Sequence, residues 1–190
     1  MSMLFYKMLA SAKNQLAYIR GYIVKVLLLM LGCKVGPKLR CTGWPRFRSI
    51  PYKNIVIGEN VSIGTNVTFL LSKSGKIILN DYCRLFQDIV ISANTEVAIG
   101  KGSGVAEFCS IRDADHGNMS NANMREQELF SEPINIGDDV QISRGCAIFK
   151  GVKIEDGVII GANILIFKNF KSVKNGIYLG NPPRLILKRR

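Results

Sequence analysis

Only one of the 190 residues is a histidine and only one a tryptophan, and the chain has six prolines and five cysteines. Each scarcity excludes something. The cysteines, at 33, 41, 83, 109 and 146, form no CxxC pair and are odd in number. Neither a zinc site nor a complete disulfide framework is indicated, and reduced thiols in a cytoplasmic protein are the expectation. With few prolines and a hydrophobic fraction of 47%, the composition is that of a chain that folds. Long apolar runs are also missing: the longest, Tyr22 to Leu31, is broken by Lys25 and falls short of the roughly 20 residues a membrane span needs. It lacks the small-residue cleavage site of a signal peptide as well.

Acidic residues are absent from both ends. Residues 1–58 carry ten Lys/Arg and no acid, 59–156 carry nine basic and fourteen acidic residues, and 157–190 carry seven basic residues and no acid. Basic ends of this kind suit an anionic membrane surface, a phosphate-bearing cofactor or nucleic acid. Nucleic acid is the weakest of the three. No zinc-finger, RNP or helix-turn-helix pattern is present, and the aromatics do not interleave with the cations, so no nucleic-acid partner is expected.

The first 34 residues read as an amphipathic basic helix. Leu4, Met8, Ala12, Leu16, Ile19, Ile23 and Leu27 recur at spacings of three and four among Lys7, Lys13, Arg20 and Lys25, and Gly32 is the stop. Such a helix caps one end of the main domain, packs on a partner subunit, or lies on the inner leaflet of a membrane.

From residue 35 to 171 a six-residue period takes over. IGENVS, IGTNVT and FLLSKS run from Ile57; LNDYCR, LFQDIV and ISANTE from Leu79; IGKGSG, VAEFCS and IRDADH from Ile99; IGDDVQ, ISRGCA, IFKGVK, IEDGVI, IGANIL and IFKNFK from Ile136. Fourteen of these fifteen hexads begin with Ile, Leu or Val, and Phe69 begins the other. A more degenerate set, VGPKLR, CTGWPR and FRSIPY, extends the repeat back to Val35. A period of six suits neither a helix nor a simple alternating strand. Interruptions fall mostly between triplets of hexads, so the unit is a triangular coil of eighteen residues with position one pointing inward and the small residue after it permitting the corner. Stacking then sets like residue over like. About six coils are predicted, an all-β solenoid with one helix in front and a basic tail from 172 to 190. Cys109 and Cys146, both at position five, stack inside as small apolar residues.

These hexads, together with DADHG (113–117), an excursion over 117–135, EPINIGDDVQISRG (132–145) and GNPPRLI (180–186), resemble the hexapeptide-repeat acyltransferases, proteins with a left-handed parallel β-helix. The order of parts resembles the sugar and polysaccharide O-acetyltransferase branch. The resemblance implies acetyl-CoA as donor, no metal, a homotrimer with active sites between subunits, and an excursion reaching towards the neighbour. It makes His116 the general base: a hydroxyl attacking a thioester must shed a proton, and imidazole, with an ordinary pKa near 6.5, accepts one at neutral pH. Asp113 or Asp115 orients the ring or favours its charged form. A turn or cap role suits Asp113 equally, and Asp115 falls on an inward-type position if the hexad frame persists. A backbone N–H is the expected oxyanion donor. Family correspondence sets Ser143, Arg144 and Ala162 beside the pantetheine arm and Lys168 and Arg184 near the nucleotide end; Gln87, Asp88 and Arg125 are acceptor candidates. Gln141 replaces a tryptophan common in the family and alters that part of the pocket. Carbonic anhydrases of this fold hold zinc with three histidines shared across an interface, which one histidine per chain cannot supply.

The function these residues imply is acetyl transfer from acetyl-CoA to a saccharide hydroxyl, in making or decorating a bacterial surface polysaccharide. Alternatives are N-acetylation of an amino-sugar nucleotide, acetylation of a small molecule, and a non-catalytic membrane-associated scaffold.

Overall fold

The computed structural model describes residues 3–120, 123 and 126–189. A helix, α1 (Met3–Met30), is followed by short strands that wind into three parallel sheets. Each turn of the chain contributes one strand to each sheet. The first face stacks Lys34–Val35, Ile55–Ile57, Lys76–Leu79, Glu96–Ile99, Ile134–Ile136 and Lys153–Ile154. The second carries Arg40–Cys41, Ser62–Ile63, Arg84–Leu85, Gly104–Val105, Gln141–Ile142 and Ile159–Ile160. The third carries Arg46–Phe47, Thr68–Leu71, Val90–Ala93, Ser110–Arg112, Ala147–Ile148 and Leu165–Ile166. The result is a three-sided prism of six coils, as the periodicity predicts, and a left-handed β-helix, as the family resemblance implies.

Register confirms the hexad frame. Ile57 pairs with Leu79, Leu85 with Val105, and Ile111 with Ile148, position one over position one. All fifteen position-one residues from Ile57 to Ile166 are buried. Each aliphatic side chain so placed stabilises the fold by about 1.5–3 kcal/mol relative to exposure. The short breaks before Ile57 and Leu79 are extra strand: Ile55 and Ile77 are buried on the first face two residues ahead of position one.

The corners differ in detail from the sequence reading. Backbone with positive φ sits at position four of the hexad, as in Asn60, Asn66, Tyr82, Asp88, Phe108, Asp139 and Asn163. The small residue at position two serves close stacking instead: a Cβ on Gly64 would lie 2.2 Å from the carbonyl oxygen of Phe86 in the next coil. Cys109 and Cys146 are buried as expected, and all five cysteines are free.

α1 covers the N-terminal end of the prism, but not with the predicted stripe. Ala17, Gly21, Val24 and Leu28 are its buried residues. Met8, Ala12, Leu16, Ile19, Ile23 and Leu27 are exposed, and the side chain of Leu4 lies outside those described. Close approach decides the face: the Leu39 carbonyl sits where a Cβ on Gly21 would stand, a fit only a glycine allows. Arg20 then donates to the Thr42 carbonyl at 2.9 Å and Lys25 to that of Gly36 at 3.1 Å. At the other end, where a tail is predicted, Gly176–Leu179 joins the second face and Arg184–Lys188 folds back antiparallel to it.

Candidate active site

The edge between the third and first faces is built differently from the other two. Position four of its hexads in the second, third and fourth coils falls on Ser72, Asn94 and Ala114, and none of these has positive φ. The regular corner is therefore abandoned where His116 stands. Ala114–His116 instead pairs antiparallel with Leu129–Ser131, with His116 opposite Leu129, and this hairpin neck begins the excursion three residues earlier than the sequence suggests. The imidazole is exposed and borders a cavity of about 440 Å³ lined with Ser72, Asn94, Arg112, Asp115 and Leu129.

Neither aspartate touches the ring. Asp113 is fully buried and its carboxylate accepts the backbone N–H groups of Asn94 and Thr95, each at 2.7 Å. Burial pushes its carboxyl up from the ordinary value, and those same N–H groups pull it back. Asp113 thus fastens the turn of the coil below. Asp115 departs from the hexad frame that would turn it inward: it is exposed and pairs with Lys150 at 3.3 Å. The imidazole has no hydrogen-bond or ionic partner among the described residues. It is open to accept a proton from a group entering the cavity.

Lys168 lies on this same edge, two coils above Asp113, with its ammonium 2.5 Å from Glu132. Lys150 was not singled out from the sequence. The signal was there, since Asp113, Lys150 and Lys168 all occupy position three of the third hexad in successive coils and so stack in one column. Lys150 also lies 5.8 Å from the Phe130 ring centroid, tying the hairpin to the solenoid.

Ser143, Arg144 and Ala162 occupy the other candidate edge, between the second and third faces. Arg144 pairs with Glu107 at 3.6 Å and stands 5.8 Å from the Phe108 ring centroid, both one coil below. Asn181, in the turn that carries Pro182 and Pro183, donates to the Asn163 carbonyl at 2.7 Å and so stacks over the residue next to Ala162. Arg184 begins the exposed outer strand. Gln141 is exposed on the second face, level with Gly104. Gln87 and Asp88 share the edge of Arg144, lower down, where Asp88 accepts from Asn66 at 3.0 Å. Within one chain they do not meet His116. Arg125 lies outside the described residues. Among those residues no cluster of three or more His, Cys, Asp or Glu could hold a metal ion.

A three-sided stack of hexapeptide coils with an exposed imidazole at a broken corner defines the class, a left-handed β-helix of hexapeptide repeats. No family model matches the chain. It is 27% identical over 133 residues to a protein of Escherichia coli K12 bearing the name colanic acid biosynthesis acetyltransferase WcaF, spanning 70% of this chain and 69% of that one. It is 26% identical over 143 residues to WbbJ of the same organism, named for lipopolysaccharide biosynthesis O-acetyl transfer, spanning 71% and 72%. Among solved structures, AntD, an N-acyltransferase from Bacillus cereus in complex with dTDP and 3-hydroxybutyryl-CoA, superposes with a TM-score of 0.73 at 19% identity, covering 86% of this chain and 87% of that one. The chain is thus similar in sequence to acetyltransferases of surface-polysaccharide synthesis and in fold to hexapeptide-repeat acyltransferases.

Proposed function

We propose that the protein transfers an acetyl group from acetyl-CoA to a hydroxyl of a saccharide during surface-polysaccharide biosynthesis, with His116 as general base. The observation that carries this reading is the exposed imidazole, unpartnered among the described residues, beside the cavity at a coil where the hexad corner is given up. The acceptor hydroxyl gives its proton to His116 as its oxygen attacks the thioester carbonyl. The C–S bond then breaks, and the imidazolium returns the proton to the leaving thiolate. Relatives named for colanic acid and lipopolysaccharide biosynthesis support a saccharide acceptor.

The site is assembled between copies. In one prism His116 and the Ser143–Arg144–Ala162 column stand on different edges, and only a second copy laid alongside brings the two kinds of edge together. This supports a homotrimer, in which each edge with a base faces an edge that seats the donor. Ser143, Arg144 and Ala162 then flank the pantetheine arm, with Lys168 and Arg184 nearer the phosphates. Gln87, Asp88 and Arg125 approach the acceptor. Asp113 and Asp115 act at one remove, fixing the coil below and the hairpin neck that hold the histidine in place.

His116→Ala is expected to slow acceptor-dependent thiol release from acetyl-CoA by about 10²–10⁴-fold, with the fold intact by circular dichroism. Unchanged turnover sinks the base. Co-refolding His116→Ala with Arg144→Ala should restore part of the activity through mixed interfaces; failure to recover, with trimers present, sinks the shared site.

A further inference from the structure

A second cavity, of about 500 Å³, lies away from His116, between α1 and the second face of the first three coils. Arg40, Ser62 and Arg84 line it and are register partners in consecutive coils, so the two arginines stand either side of Ser62, about 4.8 Å per coil apart along the prism. Neither forms an ion pair with any described carboxylate. The nearby acid, Glu59, is already held by the Tyr82 hydroxyl. Moreover the Nε of Arg40 is buried without a hydrogen-bond partner, the sole such side-chain atom among the described residues. A buried guanidinium N–H left unmatched is costly unless something fills the place. Tyr18, Tyr82 and Phe86 add half-exposed rings to the walls, and Gln87 closes the side towards the Arg144 edge.

We infer that this cavity binds a phosphate or diphosphate group on the acceptor, seated between Arg40 and Arg84 with the Ser62 hydroxyl between them. The inference rests on the acyl-transfer reading for the word acceptor, but the anion site itself does not. Two planar guanidiniums one coil apart from a shared hydroxyl match the several oxygens of a diphosphate, which a lone saccharide hydroxyl would not require. The chemistry fits two sources, a soluble sugar nucleotide and a sugar diphosphate carried on a lipid. Exposed Tyr18 of α1 lines the cavity on its helix side and also a neighbouring hollow with Tyr22 and Lys25, where a lipid-borne diphosphate would arrive.

The test is calorimetric titration of the full chain with inorganic pyrophosphate, with uridine diphosphate, and with a polyprenyl diphosphate in phosphatidylcholine vesicles. Each is repeated with Arg40→Gln, Arg84→Ala and the double variant, with melting temperatures as the check on folding. Arg84 is exposed, so its variant keeps the test valid if Arg40→Gln unfolds. Binding weakened about tenfold by each substitution is expected. The probe bound most tightly names the source. Absence of binding by all three probes, or equal affinity in wild type and Arg84→Ala, overturns the site. His116→Ala should bind pyrophosphate as wild type does, so a failed base and a failed anion site give different results.

Discussion

Asp113 and His116 lie three residues apart and behave oppositely, one fully buried and hydrogen-bonded, the other exposed and open. The family resemblance leaves Asp113 either an orienting acid for the ring or a turn role, and in the structure its carboxylate is held by the turn of the coil below. Asp113→Ala leaves two backbone N–H groups at Asn94 and Thr95 without acceptors, and a loss of roughly 2–4 kcal/mol is expected. For a chain of this size that lowers the melting temperature by about 4–16 °C, measurable by calorimetry, and an unchanged melting point would refute the role. The histidine itself was legible because its neighbours DADHG end a coil just before the excursion. Which aspartate turns inward was not, since the hexad frame puts Asp115 there and the chain leaves that frame after Asp113 to start a hairpin.

At the scale of elements, the stacking of the coils was readable, and their corners and α1 only in part. Position-one residues need only a common period to stack, and the period is printed in the chain. The helix had a choice of faces. Its large apolar stripe predicted contact, yet the stripe of Ala17, Gly21, Val24 and Leu28 won because small residues let the backbone come close to Leu39 and Arg40. Gly21→Ala drives a methyl group into the Leu39 carbonyl and should undock the helix. Faster amide exchange through Ala17–Leu28, with the coils still protected, is the expected outcome; native protection of that segment would show that the contact yields.

For the whole molecule, the consequence is an apolar surface left open. Leu16, Ile19, Ile23 and Leu27 are each at least 40% exposed, beside a segment of 58 residues without an acid. No described helix is long and apolar enough to cross a membrane. A peripheral seat on an anionic leaflet is the arrangement proposed for this face, apolar residues at the acyl boundary and lysines among the headgroups. The protein should pellet with phosphatidylglycerol vesicles and stay in solution with phosphatidylcholine alone. Ile19→Asp with Ile23→Asp should release it by roughly tenfold or more without altering the assembly seen in sedimentation. Retention of the double variant on anionic vesicles would refute this. By itself the sequence determined which residues form the interior, the number of coils and the histidine at the point where they are interrupted, because a periodic chain fixes what stacks on what. Only the tertiary structure decided which edge each candidate occupies, which carboxylate is buried and which side of the helix is spent on packing. Those depend on close approaches and hydrogen bonds between residues twenty or more positions apart, and a one-dimensional period carries no record of them.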